Sequence, residues 1–160
     1  KHSALDSSLM RKKIFDRRVL ITGAGGSIGS ELARKVLMQK PHTILILDNS
    51  EYALYKIHSE VMHLQKNFML SDIKIIPLLA SINDEVTIKR ILSDYKVDTV
   101  FHAAAYKHVP MIEMNKFVGI SNNVMGTYYL ANASIKFNVK DFVMISTDKA
   151  ADPASKRRLI

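Results

Sequence analysis

The stretch that decides the fold is Val19–Gly29, which reads Val-Leu-Ile-Thr-Gly-Ala-Gly-Gly-Ser-Ile-Gly. Its first four residues are apolar or β-branched and predict a short buried strand. The residues that follow, up to Gln39, have the apolar spacing of an amphipathic helix. Gly23 and Gly26 allow the connecting backbone to turn tightly, and Gly29 allows the helix to pack closely. The sequence therefore predicts a strand, a glycine-rich turn and a helix in direct succession.

Such a turn is typical of dinucleotide binding, because the helix amino terminus near Ser27 and Ile28 presents free N–H groups to a pyrophosphate. Asp48 ends the next apolar run, where the adenosine ribose would lie. Asp48 is also a candidate N-cap for a helix starting near Ser50, and the two roles can coexist. A carboxylate there disfavours a 2′-phosphate and favours NAD over NADP, although Ser50 leaves NADP open. No Lys-Ser or Lys-Thr follows the glycines, which excludes a P-loop.

The rest of the chain repeats this alternation of strand and helix. Further apolar runs lie at Thr43–Leu47, Ile73–Ile76, Thr99–Phe101 and Phe142–Ile145. Helical spacing covers residues 52–65, a segment capped by Asp84, and residues 122–137. The predicted core faces of the first and third helices are Ile28, Leu32, Val36, Leu37 and Val86, Ile88, Ile91, Leu92. The pattern predicts a Rossmann-like, doubly wound α/β fold, truncated after about five parallel strands. A ligand crevice is expected where the first and fourth strands end.

Charge is concentrated at the two ends of the 160-residue chain. The net charge is +8, and six of the basic residues lie within residues 1–18. We therefore interpret residues 1–17 as a basic arm, 18–153 as the folded domain and 154–160 as a basic tail. A nearly neutral domain argues against nucleic-acid binding. The absence of cysteine excludes disulfides, and no apolar run is long enough to span a membrane. We expect a cytoplasmic protein without a metal site.

Several motifs together resemble one family. The glycine spacing Gly-x-x-Gly-x-x-Gly is similar to that of extended short-chain dehydrogenases/reductases. The remaining motifs resemble nucleotide-sugar 4,6-dehydratases of capsular polysaccharide biosynthesis, which include UDP-N-acetylglucosamine dehydratases. The resemblance runs from Leu5 to Pro153 and covers the amino-terminal portion of that family. Its motifs are Leu47–Tyr52, His102–Pro110, Asn122–Thr127 and Ser146–Ala150.

The resemblance implies a defined chemistry. In that family NAD(P)+ takes a hydride from C4 of the sugar, a base removes the C5 proton, water leaves C6, and the hydride returns to C6. By position, Lys149 resembles the base, Asp148 the acid, and Thr147 the group that holds the 4-hydroxyl. From residue types alone, a surface ion pair of Asp148 and Lys149 at a strand end is the favoured interpretation, and the neighbouring motifs reverse that preference.

The resemblance also assigns binding residues by position. Lys107 and His108 are expected at the sugar-nucleotide substrate, and the remaining positions are expected at the cofactor. The cofactor positions implied in this way are Ser81, Ile82, Ala103, Ala104, Ala105, Asn122 and Ser146, beside Gly23, Gly26, Ser27, Ile28, Gly29, Asp48 and Ser50.

The sequence departs from the family after Asp152-Pro153. Lys156 follows Lys149 at a shorter spacing than the family's nicotinamide-ribose lysine, which indicates either a deletion or an unrelated tail. Family members also continue well beyond this point. We therefore expect a UDP-sugar dehydratase portion that is inactive alone and self-associates or forms a homo-oligomer. The alternative is a non-catalytic NAD(P)- or nucleotide-sugar-binding module that pairs with another polypeptide.

Overall fold

A five-stranded parallel sheet forms the centre of the protein. The computed structural model describes residues 10–105 and 114–145. All four strand pairs are parallel, and the strand order is β3-β2-β1-β4-β5. This order confirms the doubly wound α/β fold predicted from the alternating pattern. The strands are β1 (Arg18–Thr22), β2 (Thr43–Asp48), β3 (Lys74–Leu79), β4 (Thr99–His102) and β5 (Asp141–Met144).

Helices cover both faces of the sheet and create two separate cores. On one face, α1 and α2 pack against Val19 and Ile21 of β1. On the other face, α3 and α5 pack against Leu20 of β1 and Val100 of β4. The side chains of β1 thus alternate between the two cores, as expected for a central strand. The helices are α1 (Ser27–Met38), α2 (Glu51–Asn67), α3 (Glu85–Tyr95), α4 (Lys116–Ile120), a π-helix (Ser121–Gly126) and α5 (Thr127–Lys136).

The five strands differ in how completely they are buried. Every residue of β2 and β4 is buried, as is β1 after Arg18, whereas β3 and β5 are only partly buried. The difference arises because β3 and β5 form the two edges of the described sheet. Pro77 lies in β3, at an edge where its missing N–H does not interrupt a ladder.

Two helix faces differ from the prediction at their first turns. Ile28 in α1 is 51% exposed and Val86 in α3 is 78% exposed, although both fit the apolar period. Both residues lie in the first turn of their helix, and the described residues leave their side chains largely uncovered. The later members of the same faces, including Val36 and Ile88, are fully buried. The predicted helix over residues 122–137 is also longer, because it begins at Lys116 and contains a π-helical turn.

The residues before β1 contribute to the fold. Residues 10–14 are helical, and Ile14 is fully buried in the core beneath α1 and α2. The hydroxyl of Thr99 in β4 donates to the carbonyl of Lys13 at 2.7 Å. Part of the segment that we interpreted as a basic arm therefore packs against the domain.

An ion cluster ties together the amino-terminal ends of three strands. The buried carboxylate of Asp98 accepts hydrogen bonds from Arg18 Nε at 2.8 Å and from Lys140 Nζ at 3.0 Å. Burial opposes ionisation of Asp98, but these hydrogen bonds outweigh it and hold the pKa of the carboxyl well below its usual range. The cluster therefore holds together the amino-terminal ends of β1, β4 and β5. These ends lie opposite the carboxyl end of the sheet, where the glycine-rich turn is.

Candidate functional site

The order of the strands creates a crevice at the carboxyl end of the sheet. The chain runs from β1 outward through β2 to β3, then returns to place β4 on the other side of β1. The loops after β1 and β4 therefore diverge, and the gap between them is where open α/β sheets bind ligands. This is the position predicted from the sequence.

The glycine-rich turn that follows β1 is packed too tightly for side chains at most of its glycines. Gly23 has a φ of +66°, which favours glycine, and a Cβ there would lie 2.7 Å from the carbonyl oxygen of Ala103. A Cβ at Gly29 would lie 2.0 Å from the carbonyl oxygen of Gly23. Gly29 therefore allows α1 to pack against the turn itself, and these contacts fix the turn between α1 and the β4 loop.

Gly26 differs from the other glycines of the turn because a Cβ there would make one tight contact but no direct clash with the described atoms. Of the described atoms, only the carbonyl oxygen of Gly23 lies within 4 Å of a Cβ built there, at 3.3 Å. Its backbone angles, φ −72° and ψ 168°, suit any residue. Gly26 also lines the crevice. Its lack of a side chain therefore leaves room in the crevice and also avoids a tight contact within the turn.

The amino terminus of α1 is unlike those of the two neighbouring helices. Ser50 caps α2 by accepting from Ala53 N at 3.3 Å, and Asp84 caps α3 by accepting from Thr87 N at 3.0 Å. Both helices also have a glutamate in their first turn. Within the described chain, α1 has neither a side-chain cap hydrogen bond nor an acidic residue there. Its first turn thus lacks an acidic side chain that would repel an anion from the positive end of the helix dipole.

Asp48 connects the end of β2 to this turn. One carboxylate oxygen accepts from Gly25 N and the other from Ser50 N, both at 2.9 Å. The N-cap alternative for Asp48 is wrong, because Ser50 caps α2. Asp48 is 8% exposed and lines the crevice, so its carboxylate reaches both the turn and the open space beside it. Each oxygen retains a lone pair for a hydroxyl donor.

Eight of the predicted cofactor residues line this one crevice. They come from the ends of β1, β2 and β4, the loop after β3 and the π-helix, and are Gly23, Gly26, Asp48, Ile82, Ala103, Ala104, Ala105 and Asn122. Four other predicted residues are near the crevice without lining it. Ser27, Ile28 and Gly29 form the first turn of α1, and Ser50 is the N-cap of α2.

Ser81 adjoins Ile82 and accepts a hydrogen bond from the backbone N–H of Asn83. The cofactor roles of all these positions stay predictions. Ser146, Thr147, Asp148, Lys149, Lys107 and His108 lie outside the described residues.

Sequence reasoning missed several residues that shape the crevice. A Cβ at Gly25 would lie 2.4 Å from the Cβ of Ala53, so α2 packs directly on the turn. Asn49 and Ala80 also line the crevice. The run of two glycines was the available signal for Gly25. Its partner Ala53 is a helix residue 28 positions away, and no local pattern indicates that contact.

The family of this chain follows from its match to a protein-family model. The family model described as "Polysaccharide biosynthesis protein" matches residues 19–157. This chain belongs to that family. The match covers the glycine-rich turn, the crevice and the Ser146–Ala150 motif. The family resemblance inferred from the motifs is confirmed.

Named relatives agree with this family. The chain is 38% identical to the capsular polysaccharide biosynthesis protein CapD of Staphylococcus aureus, with 94% of this chain and 24% of CapD covered. It is 31% identical to a UDP-N-acetylglucosamine 4,6-dehydratase (inverting) of Campylobacter jejuni, with 87% and 39% covered. The chain thus spans well under half the length of these relatives.

Solved structures extend the family likeness to the fold. The Bordetella bronchiseptica enzyme WbmG in complex with NAD superimposes with a TM-score of 0.67 at 27% identity, covering 88% of this chain and 41% of WbmG. A second WbmG structure holds both NAD and UDP. Among residues 10–105 and 114–145, no helix is long and apolar enough to cross a membrane. The same residues contain no cluster of side chains that could hold a metal ion.

Proposed function

We propose that this chain binds NAD as the cofactor portion of a nucleotide-sugar 4,6-dehydratase in surface polysaccharide biosynthesis. The observation that carries the proposal is the first turn of α1, which contains no acidic side chain, next to Gly26 and the carboxylate of Asp48 in the lining of the crevice. This arrangement fits a dinucleotide, because it offers N–H groups to a pyrophosphate and a carboxylate to a ribose. When bound, the nicotinamide supplies reversible hydride transfer.

The preference for NAD over NADP rests on Asp48. Its carboxylate already holds the turn through Gly25 and stands at the edge of the crevice, where a 2′-phosphate would meet a negative charge. A ribose hydroxyl, by contrast, donates a hydrogen bond to the carboxylate. The proposal therefore names NAD as the preferred cofactor.

The dehydration chemistry is assigned to residues after β5 by their resemblance to the family. Thr147 holds the 4-hydroxyl of the sugar, Lys149 removes the C5 proton, and Asp148 protonates the leaving C6 hydroxyl. Both a C4 epimerisation and a dehydration need hydride transfer and a group that takes the 4-hydroxyl proton. A dehydration needs in addition a base for the C5 proton and an acid for the C6 hydroxyl that leaves as water. Ser146 completes the cofactor contacts, and Lys107 and His108 contact the sugar nucleotide.

The proposed substrate is a UDP-sugar of the N-acetylglucosamine type. The support is the chain's identity to the Campylobacter dehydratase and its fold likeness to WbmG, whose structure includes UDP. We propose that these 160 residues bind the cofactor without turning over the substrate, since they span 24% to 39% of those dehydratase-family relatives. Self-association and a cytoplasmic location belong to the same proposal.

Calorimetric titration of NAD+ and NADP+ into the purified chain tests the cofactor assignment. We expect binding of NAD+ that is at least several-fold tighter than binding of NADP+. The matched control is Asp84→Asn, which alters a capping carboxylate at the start of α3 and should leave both affinities unchanged. Absence of binding to either nucleotide would refute the proposal.

A second assay separates the dehydratase portion from a binding module. The chain is incubated with NAD+ and UDP-N-acetylglucosamine, and the mixture is analysed for a 4-keto-6-deoxy product by NMR. We expect no product from this chain alone. Product formation would contradict the proposed dependence on further sequence. A stable complex with a separate polypeptide that restores turnover would favour the pairing module.

A further inference from the structure

A buried histidine connects the two walls of the crevice. His102 is the last residue of β4, is 3% exposed and lies in register with Thr22, the last residue of β1. Its Nδ1 lies 2.7 Å from the hydroxyl oxygen of Thr22, and its Nε2 lies 2.8 Å from the hydroxyl oxygen of Thr127. The Thr127 hydroxyl in turn donates to the carbonyl oxygen of Asn123 at 2.9 Å.

The direction of these hydrogen bonds follows from the last of them. A carbonyl oxygen only accepts, so the single hydroxyl proton of Thr127 points to Asn123. The Thr127 oxygen must then accept from His102, which places the imidazole proton on Nε2. Nδ1 carries no proton and accepts from the hydroxyl of Thr22. Burial lowers the pKa of His102 to about 4, so this neutral form prevails near neutral pH.

We call the hydrogen bonds from His102 to Thr22 and Thr127 the bridge. The bridge joins the glycine-rich turn to the π-helix. Thr22 immediately precedes Gly23, the first residue of the glycine-rich turn. On the other side, Asn123 lies within the π-helix and Thr127 directly follows it. The π-helix also carries Asn122, which is buried and lines the crevice. A π-helical turn departs from regular α-helix geometry and needs local support to persist.

We propose that His102 is a positioning residue for the dinucleotide: its Nε2–H form holds the π-helix, and with it Asn122, against the ends of β1 and β4. The inference rests on the cofactor function proposed above. It adds to that function a residue, His102, that holds one wall of the crevice in position. His102 acts through Thr127 and Asn123. It therefore shapes the site from below the surface that the cofactor would meet.

The first experiment reads the tautomer directly. Two-bond 1H–15N correlation spectra of the 15N-labelled wild-type chain at pH 7 distinguish a proton on Nε2 from one on Nδ1. We expect His102 to be neutral with its proton on Nε2. A proton on Nδ1, or on both nitrogens, would overturn the proposal. This measurement needs no variant and no ligand.

The second experiment removes the bridge at Thr127. Thr127→Val keeps the shape but deletes the hydroxyl, whereas Thr127→Ser restores it. We expect the Kd for NAD+ to rise about tenfold in the valine variant and to return to within about twofold of wild type in the serine variant. Hydrogen exchange of the amides in residues 121–126 should accelerate in the valine variant alone.

A control on the same helix distinguishes positioning from a general loss of helix stability. The hydroxyl of Ser134 is buried and donates to the carbonyl of Leu130 at 2.7 Å, in the part of α5 beyond the π-helix. Ser134→Ala therefore removes a comparable buried hydrogen bond. Its NAD+ affinity should stay within about twofold of wild type. An equal weakening in Ser134→Ala and Thr127→Val would overturn the positioning role.

Failure of the cofactor proposal can be told apart from failure of the proposed role of His102. If the wild-type chain binds neither NAD+ nor NADP+, the proposed function is refuted. The tautomer of His102 and the exchange rates of residues 121–126 would still decide whether the bridge holds the π-helix.

Discussion

Alanine is expected to have different effects at Gly26 and at Gly29, two glycines of the same turn. At Gly29 a new Cβ would lie 2.0 Å from the carbonyl oxygen of Gly23 and 2.7 Å from its carbonyl carbon. Both atoms belong to the backbone, so no side chain can move away. The turn and α1 must separate by about 1 Å to reach a tolerable contact, and overpacking of this kind costs about 1–3 kcal/mol.

The expected cost for Gly29→Ala lies at the upper end of that range, about 3 kcal/mol of unfolding free energy. For a domain of this size it corresponds to a fall in Tm of about 6–12 °C. At Gly26 the backbone angles suit alanine, and the new Cβ would need the Gly23 carbonyl oxygen, 3.3 Å away, to move by only a few tenths of an ångström. Gly26→Ala should therefore change the unfolding free energy by less than about 1 kcal/mol.

Dinucleotide affinity should separate the two variants again. The Cβ of Gly26→Ala would occupy the space above the turn, so the Kd for NAD+ should rise at least about tenfold although the fold is intact. Urea unfolding followed by circular dichroism gives the stabilities, and calorimetry gives the affinities. The reasoning fails if Gly26→Ala is as unstable as Gly29→Ala, or if it binds NAD+ as tightly as wild type.

Three further predictions concern single ionisable groups. Because burial lowers the pKa of His102 to about 4 from 6.5, unfolding takes up a proton between these pH values, and stability should fall by about 3 kcal/mol as the pH drops through that window. His102→Asn should flatten this slope in urea titrations, and an unchanged slope would assign it to other groups. Asp98→Ala should lower the unfolding free energy by about 2 kcal/mol, since Arg18 and Lys140 lose their carboxylate partner. The affinity for NAD+ should not change, because this cluster is separate from the crevice. Weaker binding of NAD+ would contradict that separation. Asp48→Asn should raise the Kd for NAD+ about tenfold and bring it closer to the Kd for NADP+. If paired titrations give an unchanged ratio of the two Kd values, Asp48 does not select the cofactor.

Local signals predicted the parts of the structure that depend on neighbouring residues. The five strands appear where apolar runs predicted them, because a central parallel sheet needs continuous apolar segments. Asp84 caps α3 as predicted, since an N-cap bonds within its own turn. The left-handed φ of Gly23 likewise follows from a tight turn between a strand and a helix.

Contacts between distant segments were beyond the reach of the sequence pattern. The packing of Gly25 on Ala53 and the bridge from His102 to Thr127 both join elements that only the folded sheet brings together. Periodicity also treated Ile28 as a core residue, although its side chain in the first turn of α1 is 51% exposed. The π-helix replaces part of a helix whose apolar period alone indicated regular α-helix.

If a dinucleotide binds at the amino terminus of α1 as we propose, the stability of this protein depends on the concentration of that ligand. A phosphate that binds there supplies the missing cap, and it does so only in the folded state. By mass action, free dinucleotide at a hundred times its Kd adds about 2.7 kcal/mol to the unfolding free energy. The persistence of the folded chain in a cell would then follow the concentration of its cofactor, so that depletion of the nucleotide pool exposes the protein to proteolysis.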